Sequence, residues 1–298
     1  MTFSNATFRT SLAACTLWLA TGPAHAVDLN SQDLIPAPAG TDAVLGYFTY
    51  ATRDSFTPTG GGELKQETGL DSFVSIFRYV HYMDVGGFTV APQVLLPYGR
   101  LYNGSLNGVR LDSASGLGDP ILAAPVWLVN NPSTTFAIVP YLYLPAGSYD
   151  AGRTLNVGEN RWKFDLQLGG VQQLGNNGFA TQLSTDVMWY GVNDDASGIG
   201  TGRLKQDNTY QFQGWVTWTP PADKSWTLAA GYSQYWGGKQ QLDGIENGQA
   251  TRVDQVRLEL SKFVTPTVQV QGLLQRDLNV DGGFKEDLHT TLRVMKLF

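Results

Sequence analysis

From Ala43 onward the chain alternates apolar and polar residues with a period of two, a pattern that suits a strand and not a helix. Trp162, Phe164, Leu166 and Leu168 alternate with Lys163, Asp165 and Gln167. Tyr210, Phe212, Val216 and Trp218 alternate with Gln211, Gln213 and Thr217, and Val256, Leu258 and Leu260 with Arg257 and Glu259. Successive side chains of a strand point to opposite faces. Each segment therefore carries one apolar face and one rich in glutamine or charge. The pattern predicts strands at Ala43–Thr52, Leu70–Met83, Phe88–Tyr98, Gly118–Val129, Thr135–Leu144, Arg161–Gln172, Phe179–Gly191, Asn208–Thr219, Trp226–Trp236, Arg252–Phe263, Thr267–Leu278 and Asp287–Phe298. The connections between them run 17, 4, 19, 5, 16, 6, 16, 6, 15, 3 and 8 residues, long and short in turn.

That alternation points to an all-β fold of one kind, a transmembrane antiparallel up-and-down β-barrel of about 12 strands. Such barrels have an even strand count, short periplasmic turns and long extracellular loops. The short connections carry turn chemistry, as in Asp84-Val85-Gly86-Gly87, Gly175-Asn176-Asn177-Gly178 and Thr219-Pro220-Pro221. Both ends of the barrel chain then lie on the periplasmic side. Charged residues make up 15% of the sequence, against roughly 25% in soluble proteins. No stretch after residue 26 has the ~20 apolar residues of a membrane helix, so a closed barrel is the remaining way to live in a bilayer. Phe88, Phe136, Phe179, Trp218, Trp226, Phe263 and Phe298 mark one set of strand ends, and Tyr98, Trp162, Trp189 and Trp236 the other, as two interfacial girdles would. Phe298 closes the last strand and is expected to serve as an assembly signal.

The first 26 residues read as a signal peptide. Arg9 is followed by a short apolar stretch from Ser11 to Gly22, and Ala24-His25-Ala26 fits a small-x-small cleavage site. Leu12-Ala13-Ala14-Cys15 also has the form of a lipoprotein box, against which stands its plain reading as part of the apolar stretch. Cys15 is the sole cysteine, so cleavage after Ala26 leaves no thiol nucleophile, disulfide or Cys-based metal site. The mature chain would keep 19 basic and 26 acidic residues, a net charge of −7. That argues against nucleic acid as a partner. Residues 27–42 form an extended tail or plug, with Pro36 and Pro38 holding it extended. The barrel occupies 43–298.

No catalytic constellation stands out, and the expectation is a protein without enzymatic activity, cofactor or metal. His81 and His289 fall in strand interiors with no lipase-like serine and no zinc spacing beside them. Asn193-Asp194-Asp195, Asp243-Gly244-Ile245-Glu246-Asn247 and Asp281-Gly282-Gly283 are acidic enough for calcium, yet none follows the EF-hand pattern, and solvated loops are the favoured reading. Gly198-Ile199-Gly200-Thr201-Gly202 lacks the strand-to-helix setting of a nucleotide loop. The predicted interior is lopsided. Lys163, Asp165, Asp186, Arg257, Glu259, Asp277 and Arg293 would line it along strands six to twelve. Strands three to five are apolar on both faces, include Tyr141 and Tyr143, and carry Pro92, Pro97, Pro120, Pro125, Pro140 and Pro145. Proline donates no ladder hydrogen bond, so this apolar wall is expected to contain bulges or ladder gaps.

Gly116-Leu117-Gly118-Asp119-Pro120, Leu144-Pro145-Ala146-Gly147-Ser148-Tyr149 and Gly158-Glu159-Asn160-Arg161-Trp162 resemble segments of the MetA-pathway of phenol degradation family. The resemblance covers most of the mature chain and implies a transporter-like outer-membrane barrel associated with the breakdown of aromatic compounds. It transfers no binding or catalytic residue. The expected function is passive, porin-like uptake of small apolar or aromatic solutes across the outer membrane of a Gram-negative cell. The expected partners are the lipid bilayer, lipopolysaccharide, the outer-membrane assembly machinery and the solute. The alternatives are a structural or surface-interaction barrel without transport and, third, an outer-membrane enzyme.

Overall fold

In the computed structural model, residues 28–196, 202–246 and 249–298 are described. The signal-peptide reading, Cys15 and most of the Gly198–Gly202 loop lie outside them. The barrel strands are β1 Asp42–Thr57, β2 Gly69–His81 with its continuation Met83–Val85, and β3 Phe88–Val90 with Gln93–Leu106. β4 is made of Ala114–Leu117, Ile121–Ala123 and Val126–Asn130. Then come β5 Thr134–Tyr143, β6 Lys163–Leu174, β7 Phe179–Tyr190, β8 Thr209–Trp218 and β9 Trp226–Gly237. β10 Thr251–Thr265, β11 Val268–Asp281 and β12 Gly283–Leu297 complete the wall. Each strand pairs antiparallel with the next, and β12 pairs back onto β1 from Ala43↔Leu297 to Thr57↔Gly283, so the barrel closes with twelve strands. Phe298 extends the seam, its N–H donating to the Asp42 carbonyl at 2.9 Å.

The two faces separate as the alternation requires. Leu168, Leu183, Val256, Leu258, Leu274 and Leu292 are exposed on the outside, whereas Gln167, Gln182, Gln213, Gln271, Arg257 and Glu259 are buried inside. An apolar outer belt is what the bilayer core demands, since no water is available there to solvate a charge. Both girdles are present. Phe179 and Trp218 pack with ring centroids 6.2 Å apart at the periplasmic end, and Phe164–Trp189 and Tyr210–Trp236 at 5.5 and 5.9 Å near the other.

Several strands run further outward than the sequence pattern suggested. β1 reaches Thr57, β3 reaches Leu106, and β11 and β12 meet at Gly282, where a loop of eight residues was expected. Ladder hydrogen bonds continue above the membrane, where side-chain alternation no longer has to separate lipid from interior, so the apolar pattern fades before the strand ends. Gly282, at φ +80, makes the tight turn, and a Cβ there would overlap the Ala250 carbonyl. Asp281-Gly282-Gly283 is therefore a hairpin turn. Asp243-Gly244 likewise turns a small hairpin, Gln240–Leu242 with Ile245–Glu246, that joins Leu204–Gln206 in a separate three-stranded sheet.

Three of the six prolines fall at breaks in the wall, while Pro97 and Pro140 lie inside the strands Gln93–Leu106 and Thr134–Tyr143. β3 breaks at Pro92, and β4 breaks at Pro120 and Pro125. The β3–β4 register slips by one residue between its Gln93–Leu95 and Tyr98–Leu101 pairings, and a bulge sits at Leu128 opposite Phe136/Ala137. The carbonyls nevertheless stitch the wall together. Pro92 accepts from His81, Pro97 from Gly118, Pro120 from Leu144, Pro125 from Ala91 and Pro140 from Ala124, at 2.9 to 3.3 Å. Pro145 follows β5 and belongs to the next loop. Five of the six prolines thus keep their own carbonyls paired across the wall.

The facing assignment makes a direct prediction. Leu258→Arg, at the middle of β10 on the outer face, should lower unfolding stability by about 2–4 kcal/mol, while Leu258→Phe should change it little. Urea unfolding of the barrel refolded into lipid vesicles measures this, and equal losses for both variants would place Leu258 away from lipid.

Candidate functional site

The interior is occupied by the chain's own N-terminal segment. Asp28 to Leu34 threads between the walls, and side chains from opposite sides of the barrel bind it. The Leu29 N–H donates to Gln213 Oε1 at 3.0 Å, and Trp215 Nε1 donates to the Leu29 carbonyl at 3.1 Å. Asn30 Nδ2 and the Ser31 N–H donate to Glu259 at 3.2 and 3.1 Å, and the Ser31 hydroxyl donates to the same carboxylate. Across the lumen, Trp127 Nε1 and Thr135 Oγ1 donate to the Leu34 carbonyl at 2.9 and 2.8 Å. Three ion pairs add to these bonds. Arg257 meets Asp28 at 2.6 Å, and Asp33 meets Arg293 at 2.7 Å and Arg78 at 3.8 Å. The segment joins no ladder, so its backbone groups are satisfied by these side chains and by its own turns, as where the Ile35 N–H donates to the Gln32 carbonyl at 2.9 Å.

The lumen is two-sided. Its apolar half comes mainly from β1 to β5, with Leu45, Val80, Leu95, Ile121, Val139 and Tyr141 in one buried cluster that also takes in Leu29 and Leu34. Opposite lies a wall of glutamines and charges. Of the seven charged residues expected to line the interior, Arg257, Glu259 and Arg293 bind the N-terminal segment. Asp165 and Asp186 lie together instead with Tyr141 and Tyr143. Asp165 is fully buried with no hydrogen-bond partner on either oxygen, Asp186 accepts from Gln167 Nε2 at 3.3 Å, and the Tyr141 hydroxyl donates to Gln167 at 3.2 Å. Lys163 sits above them, ion-paired with Glu159 and 4.5 Å from the Tyr143 ring centroid. Asp277 is separate. It accepts from Gln255 Nε2 and from the Glu286 N–H, both at 2.7 Å, beside the Arg53–Glu286 ion pair. Arg78 and Arg53, inward-facing cations of the apolar-looking strands β2 and β1, are interior groups the sequence pattern did not single out.

A second feature organises the outer end. Asp119, in the first break of β4 beside Pro120, accepts hydrogen bonds from the Gly147 N–H on Oδ1 and the Glu159 N–H on Oδ2, both at 3.0 Å. One carboxylate thus ties the third extracellular loop, residues 144–162, at two points. A Cβ at Gly147 would lie 2.7 Å from Asp119 Oδ1, and one at Gly158 would lie 2.7 Å from the Gly147 carbonyl carbon, so both positions need glycine. The tied loop places Leu155 among Phe56, Leu70, Leu106, Ala114 and Phe284, a small apolar cap over the lumen. The three segments that carry the family resemblance are the parts that meet here. Glu159 anchors the far side, paired with Arg161 at 2.6 Å and with Lys163.

The histidines bond locally. His81 Nδ1 lies 2.8 Å from Asp42, and His289 lies 2.8 Å from Glu286 and 3.2 Å from Thr291. Among the described residues no group of His, Cys, Asp and Glu could hold a metal ion.

The family model described as "Putative MetA-pathway of phenol degradation" matches residues 53–289. The chain belongs to this family. The structure is also similar to the COG4313 outer membrane channel from Pseudomonas putida F1, at 33% identity and a TM-score of 0.85 over 91% of this chain and 100% of that one. The β domain of the Bordetella autotransporter BrkA shares the fold at 8% identity, with a TM-score of 0.50 over 85% of this chain and 98% of that one. No curated protein matches the chain in sequence. The family member is thus a twelve-stranded outer-membrane channel-type barrel.

Glu159 lends the loop a defined pH dependence. Burial alone would raise its pKa, but Lys163 and Arg161 overcome burial and hold it at about 2, below the ordinary 4.5. A carboxylate depressed on folding stabilises the fold above its unfolded pKa and loses that contribution as pH falls through the folded one. The thermal-midpoint difference between wild type and Glu159→Gln should therefore be full at pH 7, shrink below pH 4.5 and vanish near pH 2. A difference that is unchanged at pH 2 would show that the ion pairs are not its source.

Proposed function

We propose that this barrel passively admits small apolar or aromatic compounds across the outer membrane, with the N-terminal segment acting as its plug. Residues 1–26 serve as the export signal. The observation that carries the reading is the two-sided lumen. An apolar wall of Leu45, Val80, Leu95, Ile121 and Val139 faces glutamines such as Gln182 and Gln213. An aromatic solute can shed water against the first while its polar substituent exchanges hydrogen bonds along the second, which lowers the barrier to transfer without binding it tightly. Eight-stranded barrels are filled by side chains and those of sixteen or more hold water channels, so a twelve-stranded one suits a narrow path. Membership in a family tied by name to phenol degradation supports the same solute class, as does likeness to a channel. The machinery of this reading is non-covalent, with no catalytic step.

The competing reading, a barrel without transport, draws on the segment that fills the lumen. Uptake separates the two. In porin-poor Gram-negative cells, expression should raise the initial uptake of labelled benzyl alcohol several-fold more than that of glycerol. Equal rates with and without the barrel, for every solute, would leave the structural reading.

A further inference from the structure

Asp33 of the N-terminal segment holds a position that a solute carboxylate could take. Its Oδ1 lies 2.7 Å from Arg293 NH1 and its Oδ2 lies 3.8 Å from Arg78 NH1, so two arginines share one carboxylate, each facing its own oxygen. The arginines come from β12 and β2, the two neighbours of β1, and converge over it. Leu45 pairs with Arg78, and Tyr47 pairs with Arg293. Their remaining bonds go to neutral groups. Arg293 NH2 donates to Gln269 at 2.8 Å, and Arg78 donates to Gln93 and the Tyr47 hydroxyl at 2.7 and 3.0 Å. The buried Arg293 Nε has no hydrogen-bond partner. The nearby Glu259 is taken up by Asn30 and Ser31.

Beside this pair lies a cavity of about 330 Å³ at the periplasmic end of the lumen, lined by Asp33, Arg78 and Arg293 together with Leu45, Val80, Tyr82 and Met295. That size is at the small end of ligand pockets, right for a single ring. One pole of its lining holds the two arginines with Asp33 between them and Gln32 and Gln269 beside them, and the rest is largely apolar.

We propose that Arg78 and Arg293 form a carboxylate-binding site for small aromatic acids, and that Asp33 is its built-in occupant. This rests on the uptake reading above and names its solute class. Removing Asp33 from the buried Arg293 and the largely buried Arg78 leaves charge uncompensated in a low-dielectric site. An incoming carboxylate restores the pairing through charge-assisted hydrogen bonds, the geometry at which arginine excels. Its ring fills the cavity against Leu45, Val80 and Met295. The solute thereby competes with Asp33 and loosens the plug at the step where it leaves for the periplasm. A neutral aromatic of the same shape fills the cavity but cannot release Asp33.

The test uses the full-length barrel in detergent micelles, with benzoate and benzyl alcohol as probes in isothermal titration. Heat-modifiable gel mobility confirms that each variant is folded. Asp33→Asn frees the arginine pair and should bind benzoate about tenfold more tightly than wild type, the scale of one charge-assisted hydrogen bond. Adding Arg293→Gln should remove that gain, and benzyl alcohol should bind all three alike. Unchanged benzoate affinity in Asp33→Asn, or an equal gain for benzyl alcohol, overturns the site. The uptake assay above, run with benzyl alcohol in parallel, separates the two claims. If the titration fails while benzyl alcohol is still taken up, only the carboxylate site falls; if no uptake occurs either, the uptake reading falls with it.

Discussion

Closure of the β12–β1 ladder is the constraint on which everything else depends. In the bilayer core an unpaired backbone N–H or C=O costs several kcal/mol, so a sheet can exist there only without edges. The seam from Ala43↔Leu297 to Thr57↔Gly283 supplies that condition, and Phe298 extends it by one bond. Once the sheet is closed, the period of two sorts side chains. One parity faces lipid and must be apolar. The other is enclosed and free to hold Gln167, Gln213, Gln271 and buried charges. The prolines obey the same constraint in part, since the carbonyls of Pro92, Pro97, Pro120, Pro125 and Pro140 still accept hydrogen bonds across the wall.

A closed barrel with a polar interior must then fill that interior. Here water-seeking groups are met by Asp28–Leu34 on one level and by the Asp119-tied loop at the outer end. The segment is held by hydrogen bonds and ion pairs, with two leucines in the apolar half. The neutral hydrogen bonds are individually modest and exchangeable, while the ion pairs to the buried Arg257 and Arg293 leave charge uncompensated unless another anion takes their place. The loop is different in kind. Two glycines, one shared carboxylate and an apolar cap fix it as part of the wall's architecture.

How much of this was legible follows from what periodicity reports. The strand count, the topology and the facing of β6 to β12 could be read because lipid and lumen impose opposite chemistries on alternate residues. Gln167 against Leu168 leaves no doubt of parity. The strand ends of β1, β3, β11 and β12 could not, because above the membrane the ladder continues without that contrast. Residues 28–41 carry no periodicity, so their entry into the lumen was not fixed by the sequence. Their partners, among them Arg78, Trp127, Gln213 and Arg293, come together only when the barrel closes. Asp119 stood in a recognisable motif, yet its role needs residues 28 and 40 positions away in sequence to fold back onto it.

The central claim is that the lumen is a conduit held shut by its own N-terminal segment. Single-channel conductance in planar bilayers tests it most directly, comparing the full-length barrel with one lacking residues 28–38. The account predicts small or intermittent currents for the first and a stable, several-fold larger conductance for the second. Indistinguishable conductance from the two would contradict it.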